Sequence, residues 1–312
     1  MKVSICCITY NHESFIAKAL DSFLMQQTNF DFEIVVGEDC STDNTRNILL
    51  DFKKKNPEKI KLICNQNNIG VFANLDQTLL ACTGEYIAIC DGDDYWIDPL
   101  KLQKQVDFLE KNKECSLCYT NNFVMRNGDQ LLNNLMINSA RPTKHSFKWM
   151  LNNFAIASPS TWLLRSNALP SPLPEWMRII YNLDIAMEGL LSLHGDFGYL
   201  DYPASVYRIH EGGIISAEKD VMYKSKNLLY NIDNLSKVLS ADYRSSIALH
   251  RADHLEFLAF ENLKQRNVLQ FFSMGIKSLP YQYGKNAKSW RTTGYRFRNA
   301  IRKAIFPEKK KK

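Results

Sequence analysis

Four short apolar runs, each followed by a stretch of helical period, fill the first 112 residues and leave little choice of fold. VSICCIT (3–9) precedes ESFIAKALDSFLMQQ (13–27), where Phe15, Ala19, Leu20, Phe23 and Leu24 recur at helical spacing. FEIVVG (32–37) precedes TDNTRNILLDFKKK, a helix that Ser41, Thr42 and Asp43 are expected to cap. IKLIC (60–64) precedes VFANLDQTLLAC, and EYIAICD (85–91) precedes PLKLQKQVDFLEKN, with Pro99 near the first turn. Alternation at this spacing predicts right-handed βαβ units and a mostly parallel sheet, an α/β fold. Such a sheet takes its ligands outside the carboxyl ends of the strands. The polar residues there are Thr9-Tyr10-Asn11, Glu38-Asp39, Asn65 to Asn68, and Asp91 to Asp94.

The pattern loosens from 120 to 215. A polar segment (127–146) leads to a strand-like STWLLR (160–165) and a Pro-rich turn, LPSPLPEW. A helix, NLDIAMEGLLSLHG, and the strand-like FGYLDYPASVYRIH follow. After about residue 218 strand signals fade, and MYKSKNLLYNIDNLSKVL, ADYRSSIALHRADHLEFLAFENLKQ and VLQFFSMGIKSL read as amphipathic helices. The expected division is a sheet domain over 1–215 and a helical C-terminal region over 216–312.

Hydrophobic residues make up 45% of the chain and charged ones 23%, the balance of a soluble globular protein. The N-terminus turns polar too soon for a secretory signal, and no run reaches the roughly 18–20 apolar residues of a membrane span, so a cytoplasmic protein is expected. Cys6, Cys7, Cys64, Cys82 and Cys90 lie in or beside apolar runs, as buried thiols do. Cys115 and Cys118 have knuckle spacing but no second Cys or His pair, which argues against zinc. The net charge of +6 is concentrated at the end, where 285–312 holds eleven Lys or Arg against one Glu. Trp290, Tyr295, Phe297, Ile301, Ile305 and Phe306 are interleaved with those cations, so this segment either lies on an anionic membrane or packs with a solvated face. No recognition motif suggests nucleic acid.

The turn ICDGDDYW carries three carboxylates in four residues at the end of the fourth strand. Such oxygens suit Mg²⁺ or Mn²⁺, which commonly take one or two carboxylates and complete their shell with substrate phosphates. The competing expectation is that these Asp residues cap the helix near Pro99. Glu38 and Asp39, at the same edge, suit a ligand N–H or a ribose hydroxyl.

The blocks VSICCITYNHE, FEIVVGEDCSTDNT, NQNNIGVFANLDQ and GEYIAICDGDDYW, taken in order, make the chain resemble the donor-binding half of glycosyltransferase family 2 over residues 1–112, and more weakly to about 215. That resemblance implies a GT-A fold, with 1–112 as the nucleotide-sugar half and 113–215 as the acceptor half. Thr9, Tyr10 and Asn11 would line the nucleoside pocket, and Asp39 would accept from a uracil-type base. Here EDCS stands for the family's DDGS, with Glu38 and Cys40 substituting. Asn68, Gly70 and Asn74 would line the pocket floor. Asp93 would bind the metal and Asp91 would sit near the ribose or the metal, with Asp94 an alternative ligand.

Asp184, in YNLDIAMEGLL, matches the acid that acts as general base in an inverting transfer, and Glu188 one turn on is the alternative. Within VYRIHEGG, His210 would return to the metal and Arg208 to the diphosphate. His12, His145, His194, His250 and His254 receive no role. The activity so implied is transfer from a nucleotide sugar, a UDP-sugar first, to a glycan or lipid-linked acceptor. The alternatives are a sugar-nucleotide nucleotidyltransferase, for which CCITYNHE lacks the Gly-rich basic loop, and a non-catalytic nucleotide-sugar-binding or membrane scaffold.

Overall fold

A computed structural model describes residues 1–126, 135–138, 140–153, 155, 157–180, 182–213, 220–265 and 267–278. The basic segment 285–312 lies outside the described residues, as does most of the polar segment's first half. The opening alternation folds as its periods predict. Strands β1 (Val3–Thr9), β2 (Phe32–Glu38), β3 (Ile60–Cys64) and β4 (Tyr86–Ile89) pair in parallel, connected by α1 (Ile16–Leu24), α2 (Thr45–Lys55) and α3 (Val71–Leu80). β1 lies between β2 and β4 and is buried at every position, as a central parallel strand must be.

Beyond β4 come β5 (Tyr95–Trp96), α4 (Lys101–Lys111), β6 (Cys115–Arg126), β7 (Lys144–His145), α5 (Phe147–Asn153), β8 (Leu163–Arg165), α6 (Leu183–Leu191) and β9 (Asp196–Ile209). The described strands form one sheet in the order β3-β2-β1-β4-β8-β6-β9-β5, with β7 on β9. β6 and β9 are parallel, whereas β8 runs antiparallel to β4 and β6, and β5 and β7 antiparallel to β9. The sheet is thus parallel in its first half and mixed in its second.

STWLLR does not form the single strand expected. Pro159–Thr161 is a 3-10 turn and only Leu163–Arg165 is strand. Side chains take the carbonyls that a strand would have paired: Trp96 Nε1 donates to Ser160 (2.8 Å) and Gln105 Nε2 to Thr161 (2.8 Å). Capping also departs from expectation. Ser41 Oγ accepts from the Asn11 amide and the Thr42 amide donates to Asn11, so both tie two loops together instead of capping α2. Asp43 alone reaches the helix start, accepting from the Thr45 amide at 2.9 Å.

The helix after Pro99 is opened by Asp98, which accepts from the Leu100 amide at 3.0 Å. The acidic turn is therefore not its cap.

Trp96 fixes that turn from below. Its ring is fully buried, 4.8 Å from Phe23, its backbone amide donates to Ser22 Oγ, and Lys101 Nζ stands 4.2 Å above it. Trp96→Ala should cost about 3–5 kcal/mol by urea unfolding, the usual loss for a buried Trp or Phe truncation. Trp96→Phe should cost less, because it keeps the ring contacts and gives up mainly the bond to Ser160. Equal costs would show that the hydrogen bond, not the packing, anchors the turn.

The described residues divide into two compact units, one made of those up to 150, then 155–178 and 183–213, the other of 151–153, 179–182 and 220–278. The second unit contains α7 (Val221–Val238), α8 (Arg244–Lys264) and α9 (Val268–Ser278). Asp220 caps α7 by accepting from the Met222 and Tyr223 amides. Ala259, Leu263 and Phe271 join α8 to α9 in a small apolar cluster. Leu269, Phe272 and Ile276 on α9 stay 85%, 57% and 65% exposed. No described helix is long and apolar enough to cross a membrane.

Candidate active site

The loops after β1, β2 and β3 are stitched to one another at the carboxyl edge of the sheet. Asn11 takes a left-handed backbone (φ 55°), and its side-chain oxygen accepts from the Thr42 amide and hydroxyl. Asp39 is buried and accepts from the amides of Ile69 (2.8 Å) and Gly70 (2.9 Å) and from Asn65. It thereby sets the Asn68–Gly70 loop, where Gly70 has φ 85° and Asn68 is exposed. Asn74 is buried, its amide donating to the Gly37 carbonyl as a helix-to-strand clasp. Glu38 is likewise buried, ion-paired with Arg46 and accepting from the Ser41 amide. Of the residues expected along a nucleoside, Thr9, Tyr10, Asn11, Asp39, Asn68 and Gly70 thus border one edge, while Glu38 and Asn74 hold it up from beneath. Tyr10 is 42% exposed, and the buried Thr9 hydroxyl has no partner among the described residues.

The acidic turn meets this edge at Gly92. A side chain there would come within 2.7 Å of Thr9 Oγ1 and 2.9 Å of Ile16, so only glycine lets the turn lie against β1. Asp94 is buried and accepts from the Arg208 amide at 2.9 Å, clasping the turn to β9. Arg208 donates in return to the Asp93 carbonyl, its guanidinium 4.3 Å from the Tyr95 ring. His210 lies beyond the end of β9 and hydrogen-bonds Asp93 Oδ2 through Nε2 at 3.1 Å.

His12, which the sequence left without a role, brings its Nε2 to 3.9 Å from the same oxygen. Ligand atoms of His12, Asp93 and His210 all lie within 4.8 Å of one another, while Asp91 and Asp94 do not join that group. The sequence signal was available only in outline: His12 stands three residues past β1, at the edge that also carries the acidic turn.

Burial and charge sort the carboxylates. Asp91 is pushed up to about 7 by burial, with the Asp93 and Asp184 charges adding to it. Burial also opposes charge on Asp93, but the bond to His210 and the nearby His12 outweigh it and hold that carboxyl below its ordinary value. Burial, then Asp93, drives Asp94 well up. Asp184, in the first turn of α6, rises to about 6 through burial, offset in part by the Ile185 amide that donates to Oδ1 at 2.9 Å. Glu188, one turn on, is buried and pushed well above the carboxylate range by burial and by Asp184. The Tyr207 hydroxyl is raised by burial and then by the charges of Asp94, Asp93, Asp91 and Asp184.

The family model described as Glycosyl transferase family 2 matches residues 4–170. The chain belongs to glycosyl transferase family 2. Over 117 residues it is 45% identical to the uncharacterized protein Rv1520 of Mycobacterium tuberculosis (strain ATCC 25618 / H37Rv). That match covers 38% of this chain and 34% of the relative, so the chain spans about a third of the length of the first curated relatives it matches.

It is 31% identical over 172 residues to the UDP-Glc:alpha-D-GlcNAc-diphosphoundecaprenol beta-1,3-glucosyltransferase WfgD of Escherichia coli, covering 55% of this chain and 64% of that one. Among solved structures, TarS 1-349 of S. aureus in complex with UDP-GlcNAc aligns with a TM-score of 0.57 at 17% identity, over 92% of this chain and 93% of that one. This likeness shows the fold, GT-A. The family 2 match ends before Asp184, Arg208 and His210, so the place of Arg208 and His210 against the acidic turn comes from the fold alone.

Proposed function

We propose that this family 2 chain transfers a sugar from a nucleotide sugar to a hydroxyl of a glycan or lipid-linked acceptor, with inversion, in the building of a surface polysaccharide. The observation that carries the proposal is the meeting of the acidic turn with His210 and Arg208, at the same sheet edge as Thr9, Asn11 and Asp39, with the Asp184 charge acting on Asp91. WfgD uses a UDP-sugar and a diphosphoundecaprenol-linked acceptor, and TarS binds UDP-GlcNAc, which favours a UDP-sugar here.

In this mechanism the nucleoside lies along Thr9 to Asn11, with Asp39 holding the Asn68–Gly70 loop against it. The Thr9 hydroxyl is buried against the Gly92 turn, without a partner among the described residues. Arg208 stands at the diphosphate. Asp93 and His210 would hold a divalent cation, Mn²⁺ or Mg²⁺. Their chemistry fits one, because a carboxylate oxygen and an imidazole nitrogen 3.1 Å apart share a proton that the ion replaces. When bound, the cation supplies Lewis-acid charge to the leaving nucleoside diphosphate.

Asp184 takes the acceptor's proton as the acceptor oxygen bonds the anomeric carbon and the bond from that carbon to the diphosphate breaks. It is suited to this because burial raises it only to about 6, leaving it ionised at neutral pH, whereas burial and the Asp184 charge push Glu188 well up. The test is titration of the full chain with UDP-glucose, UDP-GlcNAc, a GDP-sugar and ATP in the presence of Mn²⁺. Selective binding of one sugar nucleotide is expected, and indifference between them and ATP would remove the donor assignment.

The lipid-linked acceptor implies work at the cytoplasmic face of a membrane. The exposed Leu269, Phe272 and Ile276 of α9, followed in sequence by the cations of 285–312, support docking on anionic lipid. Sedimentation with phosphatidylglycerol vesicles, weakening at high salt, is the expected result. Equal binding to phosphatidylcholine vesicles, or none to either, would contradict it.

A further inference from the structure

We propose that His12 is a third protein ligand of the cation, and that the resulting set of two imidazoles and one carboxylate selects a first-row transition ion over Mg²⁺. The proposal rests on the function above in one respect, that Asp93 and His210 hold the donor's cation.

His12 is placed by its own loop. Its backbone amide donates to Thr45 Oγ1 at 2.8 Å. The next residue is doubly tied, with the Glu13 amide donating to Asp43 and the Glu13 carboxylate accepting from the Asn44 amide. The loop after β1 is thus fixed to the start of α2, and from it the ring reaches the acidic turn. Phe15 closes the other side, 6.2 Å from the His12 ring and 4.6 Å from the His210 ring.

Within this frame the imidazole packs edge-on to Phe15 and His210 but makes no side-chain hydrogen bond among the described residues. Nδ1 is buried and has no partner among them, and Nε2 at 3.9 Å from Asp93 is too far for a hydrogen bond. Two ligand atoms about 2.1 Å from one ion stand roughly 3–3.5 Å apart. The 3.1 Å from His210 to Asp93 falls in that range and the 3.9 Å from His12 to Asp93 exceeds it by a few tenths of an ångström, with all three ligand atoms within 4.8 Å of one another.

The donor set then decides the ion. Mg²⁺ demands an octahedral shell of oxygens and gives up its waters reluctantly, whereas imidazole nitrogen suits the first-row transition ions. With two nitrogens already in the shell, Mn²⁺ and the ions after it in the series gain and Mg²⁺ does not.

The proposal is tested on the full chain without nucleotide, titrating Co²⁺ followed by its visible spectrum and Mn²⁺ followed by its paramagnetic resonance, with Mg²⁺ as competitor. One ion per chain is expected, with a nitrogen-ligated Co²⁺ spectrum that a large excess of Mg²⁺ does not erase. His12→Ala should weaken Co²⁺ binding by at least the roughly 10–100-fold that loss of an outer-shell partner costs. His12→Gln, which offers an amide oxygen in place of nitrogen, should keep Mg²⁺ binding and narrow the preference for Co²⁺. Thermal unfolding of both variants checks that they fold. If folded His12→Ala binds Co²⁺ with unchanged affinity and spectrum, the proposal falls while Asp93 and His210 stand as the cation's ligands. If the native chain binds no ion even with UDP or GDP added, the proposal and the cation assignment both fall.

Discussion

Asp184→Asn should lower kcat by about 10²–10⁴-fold, the usual contribution of a positioned general base, while donor affinity stays close to that of the native chain. Asn keeps the shape and the bond from the Ile185 amide but takes no proton. The split between kcat and donor binding separates chemistry from binding. The pH dependence gives a second readout. Because Asp184 works ionised and titrates at about 6, kcat at saturating donor and cation should climb as pH rises through that value and level off above it. Below pH 6 the base is protonated and activity is lost. Glu188→Gln should leave that limb in place, since burial disfavours charge on Glu188 and the amide is a near copy of its acid form. A flat profile across pH 6, or an Asp184→Asn variant that retains its kcat, would take the base role away from Asp184.

Asp93→Ala should abolish cation-dependent turnover, with a loss in kcat/KM of at least about 10²–10³-fold, or roughly 3–4 kcal/mol, as for removal of one key charge-stabilising group. Two features make Asp93 the sensitive position. It is the only carboxylate within ligand distance of both His12 and His210 among the described residues, and its charge is stabilised where those of Asp91 and Asp94 are not. The fold should survive the change, because Asp94 and Trp96 hold the turn through Arg208 and Ser160. Asp94→Ala should do the reverse, loosening the turn against β9 and lowering stability more than cation affinity. Kinetics over a Mn²⁺ series on both variants, beside urea unfolding, distinguish the two. An Asp93→Ala variant with the native dependence on Mn²⁺ would move the cation elsewhere.

The first half of the fold was legible because its information is local. β1 to β4 and their helices announce themselves by switches of period between 2 and 3.6, and a parallel sheet fixes which end carries polar loops. What escaped the sequence is what depends on distant pairing. Thr161 and Ser160 leave strand geometry because Gln105 and Trp96, far away in the chain, claim their carbonyls. Ser41 and Thr42 look like helix caps, yet the loop after β1 offers them better partners in Asn11.

The site divides in the same way. The carboxylates at strand ends could be found one strand at a time, but their separate duties could not. Asp94 is spent on a backbone amide of β9, Glu38 on Arg46, and Asn74 on Gly37, all contacts across the fold. His12 was missed because a lone histidine in a polar loop carries no signal until β9 brings His210 beside it.

The most direct test of the account is nucleotide release by the full chain, supplied with Mn²⁺ and each of a panel of UDP- and GDP-sugars, with and without a polyprenyl-diphosphate-linked sugar as acceptor. The account predicts slow, cation-dependent release from one UDP-sugar, accelerated by the acceptor and absent in Asp93→Ala. No release from any sugar nucleotide under these conditions, or release indifferent to Mn²⁺ and to Asp93, would contradict it.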